Sequence, residues 1–227
     1  LVAQGVLGCP LWASHAEKEA EWMKMKTALA LVAAVGLASV ASADVYQNLA
    51  AIAIPGAGTA GPGASYPSVI SIAGFSGPVT NVRVTLFGVS HTFPDDLDIL
   101  LVGPSGQTVM LMSDAGGSTD IVGIDLAFED GFAAMTDGGP LDAGIYAPTN
   151  IGSTDPMPAP APAGPYGTSL LSAFGTSVNG DWSLFVLDDA SADIGSIAGG
   201  WQIEVVPAPG AMALMGLGGL VATRRRR

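Results

Sequence analysis

Cysteine, basic residues and histidine are scarce in this chain, and each shortage removes a class of explanation. The one cysteine, Cys9, lies far upstream. Residues 44–206 therefore hold no disulfide and must be held together by packing, aided at most by bound metal. Of the eight Lys and Arg, only Arg83 falls within 44–206, where it faces fifteen Asp and two Glu, a net of −16 with His neutral. That balance excludes a basic footprint for nucleic acid and suits a cation-binding, highly solvated exterior. The histidines are His15 and His91. With Ser105 in a Pro-Ser-Gly turn rather than a G-x-S-x-G elbow, nothing supports a Ser-His-Asp triad, and no catalytic residue is assigned. A 3.6-residue hydrophobic period is also missing from 44–206, so the fold class is all-β.

The two ends of the chain read differently from its middle. Lys24 and Lys26 precede an apolar run over 28–40 that closes in Ala41-Ser42-Ala43. A positive n-region, an h-region and an A-x-A site make 23–43 a secretory signal peptide. Residues 1–22 then read as an upstream extension from a miscalled start. At the other end Pro207-Ala208-Pro209-Gly210 breaks the last strand, 211–222 is apolar, and Arg224, Arg225, Arg226 and Arg227 follow. Twelve helical residues reach about 18 Å, short of the roughly 30 Å hydrocarbon core of a bilayer. This tail is expected to act as a weak anchor or a processed sorting signal, with its arginines on the cytoplasmic side.

Between the ends lie 163 residues, enough for one hydrophobic core. Strands are expected over 49–54, 67–74, 79–89, 96–102, 108–112, 121–128, 182–187 and 200–206. In 79–89, Val82, Val84 and Leu86 share one face; in 96–102, Leu97, Ile99 and Leu101 do. Gly103-Pro104-Ser105-Gly106 joins two of these strands as a hairpin. Pro104 cannot take φ > 0, which excludes a two-residue primed turn. Residues 170–174 suggest one helical turn, and Pro-rich 156–162 a surface loop or edge segment. Seven to eight strands with turn signals give a β-sandwich, read as a jelly roll.

The hairpin returns Asp114 to the sheet end where Asp95 and Asp96 began. Asp96 and Asp98 fall on one strand face, about 6.5 Å apart. A second cluster, Asp188, Asp189 and Asp193, closes the strand that starts at Trp182. If that strand runs antiparallel to 96–102, the clusters share one end of the sandwich. Gathered carboxylates repel unless solvated or holding a cation. Calcium takes six to eight oxygens, and loops of this kind can supply them. Asp96, Asp98, Asp114, Asp189 and Asp193 are the candidate calcium ligands, in a pattern that is not an EF-hand.

Residues 79–206 resemble the P domain (Homo B domain) of proprotein convertases. The likeness rests on His91-Thr92-Phe93, Asp96-Leu97-Asp98-Ile99 before Gly103-Pro104-Ser105-Gly106, Gly180-Asp181-Trp182-Ser183-Leu184, Asp193-Ile194-Gly195 and Gly199-Gly200-Trp201. It implies a jelly-roll (galactose-binding-like) sandwich of the kind that packs on and stabilises a subtilisin-like protease; these 227 residues leave no room for such a protease and hold no matching triad. The tail is similar to bacterial PEP-CTERM sorting signals in Pro207, Pro209, Gly210, the apolar run and Arg224–Arg227, with Ala208 where the signature has Glu. That similarity implies a membrane-bound sorting enzyme as partner. The expected protein is an exported, non-catalytic cell-surface binding or structural module whose ligand is an envelope protein or polysaccharide. The alternatives are an accessory unit for a separate serine endopeptidase and a carbohydrate-binding jelly roll. Mass spectrometry of the envelope fraction should find an N-terminus within a residue or two of Asp44; a full-length cytoplasmic product would defeat this reading.

Overall fold

The computed structural model describes residues 42–55, 59–152, 155–175 and 178–208. The proposed extension, all but the last two residues of the signal peptide, and the tail from Pro209 onward, with Gly210 and the four arginines, lie outside them. The described residues form one compact unit whose regular structure is almost all strand.

In chain order the first strands are β1 (Asp44–Asn48), β2 (Ile52–Ile54), β3 (Gly61–Pro62), β4 (Ser68–Ile72) and β5 (Val79–His91). A 3-10 turn, Pro94–Asp96, leads into β6 (Leu97–Val102) and β7 (Thr108–Ser113). There follow β8 (Ile121–Glu129), β9 (Gly144–Tyr146), β10 (Thr149–Asn150) and helix α1 (Leu170–Phe174). The chain closes with β11 (Gly180–Asp188), β12 (Gly195–Ile197) and β13 (Trp201–Pro207).

Two sheets pack face to face in a sandwich-like arrangement. In the first, β5 is flanked by β8 on one side and by β13 and then β12 on the other. β1 extends the sheet beyond β13, β2 beyond β12, and β9 runs parallel to β8. In the second, β6 lies between β7 and β11, with β10 parallel to β7 and β3 and β4 beyond β11. The core lies between them. Val82, Val84 and Leu86 meet Leu97, Ile99, Leu101 and Leu184 there, all fully buried. The alternation that predicted these faces holds through Leu86. Gly88, at φ +65°, then shifts the register by one, so that Val89 and His91 turn inward. Two fully buried tryptophans are both satisfied: Trp182 Nε1 donates to Val178 O (2.8 Å) and Trp201 Nε1 to Ser68 Oγ (2.9 Å).

Several expectations need correction. Among the described residues thirteen strands form where seven to eight were expected; the extra ones are mostly two- or three-residue pairings. The strand expected over 49–54 is broken, because Asn48 Oδ1 accepts the Ala50 N–H (3.1 Å) and turns the chain from β13 toward β12. The last strand ends at Pro207, one residue past the expected 206, after a bulge opposite Val79, with Ala208 N donating to Pro78 O (2.8 Å). The hairpin loop is the long one its proline requires, with Gly103 N to Gln107 O at 2.8 Å. The helical turn forms as α1, and Ser169 caps it by accepting from Ser172 N. Gly195 is required where β12 meets β5, since a Cβ there would fall on the His91 ring and the Ser90 carbonyl oxygen.

A candidate cation site at the acidic pole

β11 runs antiparallel to β6 with Leu187 opposite Asp98 and Asp188 opposite Leu97. That register brings the two acidic clusters to one end of the sandwich. β7 ends there at Ser113, and Asn150 of β10 pairs with Ser113. Four chain segments, ending in Asp98, Asp114, Asp155 and Asp189, therefore meet at one pole.

The pole divides into two groups. The first holds Asp98, Asp114, Asp155 and Asp189, with Asp95 beside Asp114 and Asp189. Asp98 is only 3% exposed, and its Oδ2 is buried without a hydrogen-bond partner. Asp95 Oδ1 and Asn150 Oδ1 are buried and unpartnered as well. Asp114 is held at φ +49°, a left-handed conformation that aspartate tolerates in tight turns. The Ser113 hydroxyl lies 2.9 Å from Asp155 Oδ2 and 3.3 Å from Asp114 Oδ2, and it also bonds toward Asp98. One hydroxyl proton cannot serve three carboxylates.

The second group surrounds His91. Its side chain and that of Asp188 are wholly buried, with Nε2 3.5 Å from Asp188 Oδ2. His91 Nδ1 lies 2.8 Å from Phe93 O and 3.2 Å from Phe93 N, so the tip of β5 is tied to the turn that follows. Asp193 Oδ1 accepts from Thr92 Oγ1 (2.8 Å), and that hydroxyl accepts from Ile194 N (3.1 Å). Asp96 completes this group, near Asp193, Asp188 and His91.

Electrostatics follow the geometry. Burial, then Asp155, Asp189 and Asp114, push the Asp98 carboxyl up to about 7, against the opposing hydrogen bond from Ser113. Burial and then Asp193, Asp188 and Asp189 raise Asp96 to about 6. Burial, then Asp155, raises both Asp114 and Asp189. Asp188 is raised by burial, with His91 opposing. Among the described residues no arginine relieves this. Arg83 is committed to Glu129 and Glu204, eight residues back along β5 from His91, or about 26 Å at strand rise.

Of the five predicted ligands, Asp98, Asp114 and Asp189 come together. Asp96 and Asp193 belong instead to the His91 group. The shared strand face expected of Asp96 and Asp98 does not form, because Pro94 starts a 3-10 turn and β6 begins only at Leu97. Asp155 and Asn150 were not foreseen. Asp155 sits just before a proline run whose path over the sheet is set by packing, and Asn150 belongs to a two-residue strand. Among the described residues no three His, Cys, Asp or Glu are already closed around one point. The donors are nevertheless all hard oxygens, with three buried oxygen atoms unpartnered, which fits calcium better than a soft metal. Ser105 stands in the turn at the far end of β6, about 17 Å of strand from the pole, and cannot join His91.

The chain matches no protein-family model, and no curated protein matches it.

The raised carboxylates set the sign of a pH effect in the cation-free protein. Asp98 holds its proton up to about pH 7 when folded, against an ordinary value of 3.8. The unfolded chain therefore binds fewer protons between these limits, and stability falls as pH rises through the window. Asp96 acts in the same direction up to about pH 6. Thermal melts in chelator should show a lower Tm at pH 7.5 than at pH 5, and Asp98→Asn should flatten that fall while raising the Tm at pH 7.5. An Asp98→Asn profile that matches the wild type would remove Asp98 as the strained group.

Proposed function

We propose that this chain is an exported, non-catalytic surface module: a jelly-roll sandwich of the convertase P-domain kind whose acidic pole is completed by calcium. On this reading residues 23–43 direct export, and the tail from Pro207 retains the protein at the membrane until a sorting enzyme processes it. One observation carries the cation: the Asp98 carboxyl is buried, its Oδ2 has no hydrogen-bond partner, and Asp114, Asp155 and Asp189 surround it. Buried charge without a counter-charge is costly, and proteins meet it with a proton, a pair or a metal. Asp98, Asp114, Asp155 and Asp189 would hold the ion, with Asp95 and Asn150 as further oxygen donors.

The P-domain reading draws on where its motif residues sit. His91-Thr92-Phe93 and Asp193-Ile194-Gly195 tie the tips of β5 and β12 together. Gly103 to Gly106 forms the β6–β7 loop, and Trp182 and Trp201 fill the core. Each has a structural task, and together they support a binding or scaffolding role over a reactive centre. With both of these tryptophans buried, the described residues present no indole platform for a sugar ring, so polysaccharide binding ranks below an envelope protein ligand.

A thermal melt of the exported form tests the calcium reading. Saturation at a hundred times Kd adds about 2.7 kcal/mol, or a rise of roughly 5–10 °C for a domain this size. Asp98→Asn together with Asp189→Asn should abolish most of the rise, and sodium at matched ionic strength should not reproduce it. Equal melting temperatures in calcium and sodium would refute a bound ion.

A further inference from the structure

Asp155 belongs both to the acidic pole and to a separate piece of packing. The chain that follows it, Pro156 to Gly167, crosses the outer face of the second sheet. Met157, 6% exposed, joins Leu100, Met110, Phe185 and Leu187 in an apolar cluster apart from the main core, with Tyr66, Ala161 and Tyr166 packed against it. Tyr66 stands edge-on to Phe185 with ring centroids 4.9 Å apart, and its hydroxyl donates to Pro158 O (3.0 Å). At the far end Met110 N donates to Gly167 O (2.8 Å).

Five of these residues are proline, at 156, 158, 160, 162 and 165. Proline has no N–H, so the segment cannot join the sheet by a backbone ladder. It is held by its two ends and by the side chains beneath it. The Gly167 end is pinned by a backbone bond. At the other end Met157 and the Tyr66–Pro158 bond hold the chain just beyond Asp155, while the Asp155 carboxylate itself accepts from the Ser113 hydroxyl and faces three carboxylates. The sign of the charge at the pole therefore decides whether this end is attracted or repelled.

We propose that the cation at the pole seats the Pro-rich strap. With the ion bound, Asp155 is drawn in and the strap covers Met110 and Phe185; without it, the Asp155 end lifts and this cluster opens while the main core stays closed. The inference rests on the calcium reading and assigns that site a regulatory output: a calcium-dependent cover over one sheet face.

Methionine oxidation reads the cover directly, since a thioether reacts once it is exposed. The full-length protein is treated with dilute peroxide in calcium, or in chelator at matched ionic strength. Sulfoxide is then measured peptide by peptide, and calcium binding is followed in parallel by titration calorimetry. Met157 should oxidise about tenfold faster in chelator, as expected of a local opening. Met135, 5% exposed and part of the main core, should not change. Asp155→Asn should leave Met157 reactive even in calcium, with the ion still bound, more weakly, by Asp98, Asp114 and Asp189. Calcium binding without any protection of Met157 would overturn the strap proposal and leave the calcium reading standing. Absence of binding would overturn both. A parallel rise at Met135 would mean general loosening and would also overturn it.

Discussion

Like charges are buried at one end of this sandwich, and among the described residues no basic side chain but His91 lies among them. Strand pairing forces the arrangement. Once β6 and β11 pair with Asp98 opposite Leu187, and β7 returns beside β6, the acidic turns must share an end. The inward alternation of Leu97, Ile99 and Leu101 fixes the parity of β6, which leaves Asp98 on the outer face with Leu100, beneath the strap. Apolar burial across two full sheet faces thus outweighs the repulsion. The repulsion persists as raised carboxyl protonation and unpartnered oxygens, and it is localised because Arg83 is engaged by Glu129 and Glu204 on the other sheet.

Much of this was legible in the residues. Period-two alternation is a packing signal, and it placed the main-core face of β5 through Leu86 and that of β6 correctly. The acidic pole was legible because a hairpin of known sense returns Asp114 to Asp95. What could not be read depends on contacts distant in sequence. The two- and three-residue strands β3, β9 and β10 carry no periodicity. The break after Asn48 depends on one side chain capturing one N–H. Asp96 was placed on the wrong face because Pro94 imposes a turn that delays the strand by a residue. Asp155 reaches the pole only because Met157 and Tyr166 find a hydrophobic face to cover, a tertiary fact with no local signature.

Export, a tail with an apolar run and an arginine cluster, and a sandwich of net charge −16 form a coherent physical proposal. Calcium is plentiful outside the cell, and a module without disulfides can use it as a cross-link between loops. The ion would join four segments separated by up to ninety-one positions in sequence, Asp98 to Asp189. This closes loops much as a disulfide would, while remaining reversible. On this proposal the protein would be firm where calcium is plentiful and looser where it is scarce.

The most direct measurement is a crystal structure of the calcium-soaked protein with anomalous diffraction data, or the same with a lanthanide in calcium's place. The account predicts one strong anomalous peak ringed by oxygens of Asp98, Asp114, Asp155 and Asp189, at about 2.3–2.6 Å for calcium. A well-ordered pole at saturating ion with no peak between those carboxylates would contradict it.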